Sequence, residues 1–264
     1  SACTPNYLEC HSGHGYVADI SCGGYACVAR MNDNTAVAWG NTNYGGNASR
    51  DENVEYLTNV ADISCGTYAC VARKNDNTAY AWGHAGDGGD IRCTSDDCTP
   101  LPAGVDLTDV ADISCGGRAC VARKDDGTAY AWGDANYGGD APSLTDIVDI
   151  SCGGRACVAR MINGTAVAWG RPDYGGDIRC TGTSCTPLPS GVDLTNVAKV
   201  SCGENACVAL KKDDTAVAWG LASSGGDASG VDLTNVAEVS CGGYACVALK
   251  KDDTAVAWGQ CNWC

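Results

Sequence analysis

The sequence contains no phenylalanine, only three histidines (His11, His14 and His84), and roughly half as many basic as acidic side chains, 17 against 32. Each shortage excludes something. With so few histidines, base-assisted nucleophilic catalysis and histidine-rich metal sites have almost no material to work with. The formal net charge of −15 repels phosphate backbones and anionic lipid surfaces, so neither nucleic acid nor a membrane surface is an expected partner. No apolar run approaches the length that crosses a bilayer as a helix, so membrane insertion is not expected. No segment repeats its apolar residues with a 3.6-residue period, so helix should be scarce.

What is abundant is small or sulfur-bearing: 35 glycines and 20 cysteines in 264 residues, with 45% of the chain apolar. Glycine and small residues at fixed offsets suit closely packed strands and tight turns. An even number of regularly spaced cysteines reads as a disulfide framework, hence an oxidising, extracellular or cell-surface setting. Zinc is the alternative, but nearly every close pair is C-x4-C or wider, and the single C-x2-C is Cys261–Cys264. The chain begins at Ser1 with no signal-like segment, as expected of a processed, secreted protein.

One stretch, VADISCGGYACVARMNDNTAVAWG from Val17 to Gly40, organises everything else. It occurs six times, opening at Val17, Val60, Val110, Ile147, Val197 and Val236 and closing on Trp39, Trp82, Trp132, Trp169, Trp219 and Trp258. Repetition at this period means one domain spanning residues 1–264, built of like units. Within a unit, Val17–Cys22 alternates as a strand, Gly23-Gly24-Tyr25 turns, Ala26–Arg30 forms a second strand, Asn32-Asp33-Asn34 turns, and Thr35–Trp39 is a third. Each unit is thus a three-stranded antiparallel meander, with room for a short fourth strand after the Gly-Gly that follows the tryptophan. The recurring tryptophan is read as packing between neighbouring units rather than as a ligand cage.

A C-x4-C pair flanks the first turn of every unit: Cys22/Cys27, Cys65/Cys70, Cys115/Cys120, Cys152/Cys157, Cys202/Cys207 and Cys241/Cys246. A hairpin can bring such a pair within bonding distance. Cross-repeat pairing is the competing arrangement, because spacing alone does not fix connectivity.

The ordered combination V-x-x-I-x-C-G, second strand, A-W-G and Y-G-G resembles the regulator of chromosome condensation repeat over about residues 17–259. The resemblance implies a β-propeller, each repeat contributing to one blade. In its short period the chain is also similar to the secreted bacterial propeller that inhibits β-lactamase, whose blades are three-stranded. It departs from the family where a histidine usually stands, with Ala26, Ala69, Ala119, Ala156, Ala206 and Ala245 in its place. It departs again after the Tyr-Gly, as at Gly46-Asn47 and Gly139-Asp140, and has no wedge-like insertion. These departures prevent carrying over the nuclear exchange-factor function.

Two long intervals carry near-identical inserts, Asp90–Val110 and Asp177–Val197, each with its own C-x4-C pair, Cys93/Cys98 and Cys180/Cys185. Cys3-Thr4-Pro5 matches Cys98-Thr99-Pro100 and Cys185-Thr186-Pro187, so the start of the chain reads as half of a third insert. Its other half would be Gln260-Cys261-Asn262-Trp263-Cys264. The expectation is an all-β, six-bladed β-propeller of three- to four-stranded antiparallel blades, disulfide-stapled, with the termini closing the ring. Cys3 would bond Cys261 or Cys264, and the other would take Cys10. The same half-inserts could instead meet on a neighbouring molecule, giving a head-to-tail contact and a fibre.

No catalytic constellation stands out. The carboxylate pairs Asp125/Asp126, Asp213/Asp214 and Asp252/Asp253 fall on solvated hairpin tips, not across a cleft. The Gly-Gly-Asp aspartates Asp90, Asp140, Asp177 and Asp227 are turn residues, with calcium the alternative, and no cofactor is otherwise implied. Two variable sets stand out from the constant frame. The first-turn residues Tyr25, Tyr68, Arg118, Arg155, Asn205 and Tyr244 would crown one end of a ring as a contact surface. Tyr44, Asp87, Tyr137, Tyr174 and Ser224 follow the Trp-Gly pairs. Asn47-Ala48-Ser49 and Asn163-Gly164-Thr165 are glycosylation sequons. The function expected is that of a non-enzymatic extracellular structural or interaction protein, a self-assembling subunit of a fibre or surface layer. A soluble binding propeller, lectin-like or inhibitory, is the alternative. Partners are accordingly a protein, a glycan or the chain itself.

Overall fold

The computed structural model describes residues 16–48, 57–92, 98–179, 184–190 and 193–260. Each repeat folds as an antiparallel sheet and forms one blade of a six-bladed propeller. Blade one comprises an inner strand Val17–Cys22, a middle strand Ala26–Met31 and an outer strand Ala36–Gly40. The inner strands of blades two to six are Val60–Cys65, Val110–Cys115, Ile147–Cys152, Val197–Cys202 and Val236–Cys241. The C-x4-C spacing sets the register, placing the two cysteines of each unit directly opposite each other. Cys22–Cys27, Cys65–Cys70, Cys115–Cys120, Cys152–Cys157, Cys202–Cys207 and Cys241–Cys246 are all bonded within their own blade, with Cα atoms 4.0–4.1 Å apart. The cross-repeat alternative is thereby removed for these twelve cysteines.

Flanking a turn on the rim does not leave the second cysteine of blades two to six at the surface, whereas Cys22 of blade one is exposed. Cys70, Cys120, Cys157, Cys207 and Cys246, the second cysteines of blades two to six, are no more than 1% exposed. The cause is a glycine of the preceding blade that lies over each sulfur. A Cβ on Gly88 would stand 3.0 Å from Cys120 Sγ, and one on Gly45, Gly138, Gly175 or Gly225 would stand 2.8–3.0 Å from the sulfurs of the other four. These cysteines are therefore parts of the blade junctions and not of an exposed contact surface. Cys98 and Cys185 are also disulfide-bonded. Their expected partners Cys93 and Cys180 lie outside the described residues, as do Cys3, Cys10, Cys261 and Cys264 and the ring closure expected through them.

The middle-to-outer hairpin tips need a left-handed residue. Asn34, Asn77, Gly127, Gly164, Asp214 and Asp253 supply it, with φ between 60° and 82°. The residue before each tip accepts hydrogen bonds from the threonine that follows. Asp126 Oδ1, for example, takes the Thr128 amide at 2.9 Å and the Thr128 hydroxyl at 2.7 Å. Those threonine bonds hold Asp76, Asp126, Asp213 and Asp252 below the usual carboxylate range. The tip acids are therefore ionised turn residues. Asn163 occupies the same place in blade four, its Oδ1 accepting from Thr165 at 2.9 and 2.7 Å.

Two fourth strands form after a Gly-Gly, as the sequence allows, but each belongs to the next blade. Among the described residues the segment between Trp-Gly and Gly-Gly is a single 3-10 turn, such as Thr42–Tyr44, ended by a glycine in the left-handed region. The fourth strands lie in the inserts. Cys98–Thr99 pairs with Asp134 and Gly133 of blade three, and Cys185–Thr186 with Leu221 and Gly220 of blade five. Each insert thus completes the blade that follows it. The backbone after Trp-Gly cannot extend into a strand because its glycine (Gly45, Gly88, Gly138, Gly175 or Gly225) turns it onto the next blade.

Blades join through one recurring junction. Val28 and Ala36 of blade one pack against Val60, Ile63, Cys70, Ala72 and Trp82 of blade two, and the same chemistry recurs at the following four junctions. Each tryptophan from blade two onward donates its indole N–H to the turn glycine of the preceding blade. Trp82 reaches Gly45, Trp132 Gly88, Trp169 Gly138, Trp219 Gly175 and Trp258 Gly225, at 2.8–2.9 Å. Near the axis, Ser21, Ser64, Ser114, Ser151 and Ser201 each accept from the backbone N–H of a cysteine in the next blade. The glycine after that cysteine lets the inner turns nest: a Cβ on Gly116 would overlap the carbonyl oxygen of Gly153.

A paired substitution tests this nesting. Gly116→Ala should destabilise by about 3 kcal/mol, the upper end of ordinary overpacking, because the obstructing atom is backbone. Gly242→Ala should change stability little, since its nearest obstruction is the Ala245 carbonyl oxygen at 3.7 Å. Urea unfolding of both variants checks the difference.

Candidate interaction face

The inner-to-middle turns and the 3-10 turns lie on the same rim of the propeller and are tied together by backbone. The residue after each Trp-Gly donates its N–H to the carbonyl of that blade's first-turn residue: Asn41 to Tyr25, His84 to Tyr68, Asp134 to Arg118 and Arg171 to Arg155, at 2.8–2.9 Å. The two variable sets noted in the sequence therefore interleave, because each 3-10 turn leans over the next blade's first turn.

The result is a continuous belt of rings and guanidinium groups. Tyr25, Tyr44 and Tyr68 form a cluster with centroids 5.1–5.4 Å apart, and His84 lies 5.9 Å from Tyr44. Arg118 comes next, its guanidinium 5.2 Å from the Tyr68 ring and 5.1 Å from the Tyr137 ring. Arg171 approaches the Tyr137 and Tyr174 rings at 5.8 and 4.9 Å and donates to the Tyr137 hydroxyl at 3.1 Å. Arg155 lies 4.4 Å from the Tyr174 ring. Such pairs contribute about 0.5–1 kcal/mol each where exposed, and together they fix side chains that would otherwise be mobile.

Asp87 anchors the middle of the belt. It is nearly buried and accepts from His84 Nδ1 at 2.8 Å, with Arg118 Nη1 3.8 Å away. Burial pushes its carboxyl up, against the pull of His84 and Arg118. Asp134 also stands 3.8 Å from Arg118 Nη1.

Asn205 departs from the expected contact surface. Only 4% exposed, it accepts from Arg155 and donates to the Gly243 carbonyl at 2.8 Å, linking blades four, five and six. An amide with both ends satisfied in this way is a strut. Ser224 is likewise buried, whereas Tyr25 and Tyr244 are well exposed. The ring and guanidinium contacts among the described residues thus run over blades one to four. His84, Asp134 and Arg171 were missed in the sequence. The signal was there: the residue directly after Trp-Gly varies as freely as the two sets that were noticed.

The remaining sites have simpler surroundings. Asp90, Asp177 and Asp227 each accept from a backbone N–H two residues on, and Asp140 is exposed. Among the described residues no group of three or more His, Cys, Asp or Glu side chains could hold a metal ion. The inner strands carry Asp112, its carboxyl pushed up by burial, 3.9 Å from Arg123, and Asp149 3.6 Å from Arg160. Asn47 and Asn163 are both exposed. Among the described residues no helix is long and apolar enough to cross a membrane.

Residues 110–138, from the inner strand of blade three to its 3-10 turn, match the regulator of chromosome condensation (RCC1) repeat model. No curated protein matches the sequence significantly. Among solved structures, human WBSCR16 is similar, with a TM-score of 0.62 and 17% identity over 93% of this chain and 77% of that one. Yeast RCC1 (Prp20) superposes with a TM-score of 0.61 and 15% identity over 92% of this chain and 70% of that one. The ectodomain of the Physcomitrella patens receptor kinase CR4 does so with a TM-score of 0.59 and 18% identity, over 92% and 62%. The shared architecture shows a β-propeller, and its third repeat matches the RCC1 repeat.

Proposed function

We propose that the protein is a non-enzymatic interaction propeller that works outside the cell and holds a protein partner on its tyrosine–arginine face. The belt from Tyr25 to Tyr174 carries this reading. Rings and guanidinium groups already fixed against one another lose little conformational freedom on binding, and Tyr and Arg are the side chains that most often dominate interfaces. The disulfides fit an oxidising compartment. Similar propellers give precedent for protein partners: yeast RCC1 (Prp20) has been crystallised bound to Kap60, and CR4 carries its propeller in a receptor ectodomain. A glycan is the alternative occupant, since exposed tyrosines also stack on sugars. Asn47 and Asn163 are proposed glycan acceptors of the protein itself. A self-assembling subunit of a fibre or surface layer is a second reading, favoured by the exposed edges of the blade array.

The test compares wild type with a Tyr68→Ala/Arg118→Ala variant and with Asp126→Asn on the opposite rim, using quantitative capture from secreted proteins alongside a glycan array. Loss of two interface anchors should weaken a specific partner by 30-fold or more, about 2 kcal/mol, while the opposite-rim variant binds as wild type does. A partner that binds all three equally would overturn the face assignment.

A further inference from the structure

We infer that the protein associates head to tail, the outward face of blade six in one copy seating the outward face of blade one in another. Five interior junctions specify what this contact requires. At each, a valine and small or leucine side chains from the middle and outer strands of one blade meet two aliphatic residues on the inner strand of the next. Blades five and six show the pattern fully. Val208, Leu210, Ala216 and Ala218 are buried against Val236, Val239, Ala248 and Trp258.

The two end blades carry the unpaired halves. On blade six the equivalents of those four residues are Val247, Leu249, Ala255 and Ala257, and all are exposed. Val247 is 42% exposed where Val208 is 0%, and Leu249 is 39% exposed where Leu210 is 8%. On blade one, Ile20 is 55% exposed where Ile63 is 6%, and Val17 is exposed where Val60 is fully buried. Among the described residues the polar halves are open as well. Ser240 has no cysteine N–H corresponding to those that Ser21 through Ser201 receive, and no backbone of blade one lies against Gly242. Among the described residues Trp39 finds no counterpart of the glycine carbonyl that accepts from each of the other five repeat tryptophans.

A second copy is the occupant these observations favour. Among the described residues both edges are exposed together in one folded chain, so blades one and six do not cover each other. Each is complementary to the other and not to itself, because one supplies the inner-strand half of the junction and the other the middle- and outer-strand half. A contact between unlike patches is heterologous, so it propagates unless its rotation closes a ring. The inference deepens the assembly reading above and uses none of the tyrosine–arginine face, so failure of either leaves the other standing.

The experiment is sedimentation velocity on the oxidised, thiol-blocked chain across a hundredfold range of concentration. The wild type should grow beyond monomer mass as concentration rises. Ile20→Asp and Val247→Asp each place a charge on a side chain already exposed in the monomer, so both should fold with unchanged thermal midpoints, and each alone should stay monomeric. Mixed one to one, they retain one intact edge of each kind and should form a dimer that grows no further. A wild type that remains monomeric throughout, or a mixture that behaves as its separate components, would overturn the inference. So would a large fall in the midpoint of both monomeric variants, which would mean that the edges meet within one chain.

Discussion

Reducing the within-blade disulfides should unfold the propeller at 25 °C. Each closes a loop of only six residues, worth about 2 kcal/mol in the chain-entropy account. One such bond would be a modest loss. Six are comparable with the whole stability of an ordinary domain, about 5–15 kcal/mol, and the alanine- and glycine-rich blades have little large side-chain volume to offset it. The second cysteine of the pair is buried in blades two to six, as Cys70, Cys120, Cys157, Cys207 and Cys246, so reductant alone should act slowly. The measurement is a urea titration monitored by tryptophan fluorescence, before and after reduction and alkylation in denaturant. The alkylated chain should show no cooperative transition. A transition within about 1 M of the oxidised midpoint, roughly the shift that the loss of one such bond would produce at a urea slope of about 2 kcal/mol/M, would mean that the aliphatic junctions suffice without the sulfur.

Trp132→Ala should cost about 3–5 kcal/mol, as for other large-to-small substitutions at fully buried aromatics. Trp132 is 0% exposed and fills the junction between blades two and three, where Val71, Ala81, Val110 and Ile113 also meet. Its removal also strands the Gly88 carbonyl, which accepts its indole N–H at 2.8 Å. Trp39→Ala provides the internal comparison. Trp39 holds the same place in its repeat but is only half-buried and makes no indole bond to a turn glycine of a preceding blade, so its removal should cost less than half as much. Because each blade contacts mainly its neighbours, Trp132→Ala should also broaden the unfolding transition by uncoupling the first two blades from the rest. Equal costs for the two substitutions would show that the tryptophan acts within its own blade and not across the junction.

Much of this architecture could be read from local chemistry. Val-Ala-Asp-Ile-Ser-Cys alternates as an inner strand must, and four residues between cysteines is the spacing at which a hairpin puts them opposite each other. The tip sequences Asn-Asp-Asn-Thr and Asp-Asp-Gly-Thr name both the left-handed residue and the threonine that locks it. What escaped is whatever depends on the angle between blades. Nothing in Cys98-Thr99 says that it pairs with the strand that follows rather than the one before. Nothing around Cys120 says that Gly88, from the blade before, will cover its sulfur. Asn205 sits in the same column as Tyr25 and Arg118, and only the closeness of Gly243 and Arg155 turns it from surface to strut. The belt itself was half visible, as two variable sets, but their interleaving follows from the lean of the 3-10 turns over the next blade.

The donated fourth strand has a consequence for how such a protein can be cut and rebuilt. A cloning boundary placed at Val110, where the sequence period begins, would separate Cys98–Thr99 from the outer strand it pairs with and Gly88 from the indole it receives. The strands of blade three run from Cys98 to Asp134, starting inside the insert and ahead of the visible repeat, and its junction reaches back to Gly88 of the blade before. Exchanges of single units between arrays of this kind should therefore succeed when the breakpoint falls before the glycine turn. They should fail when it follows the visible repeat.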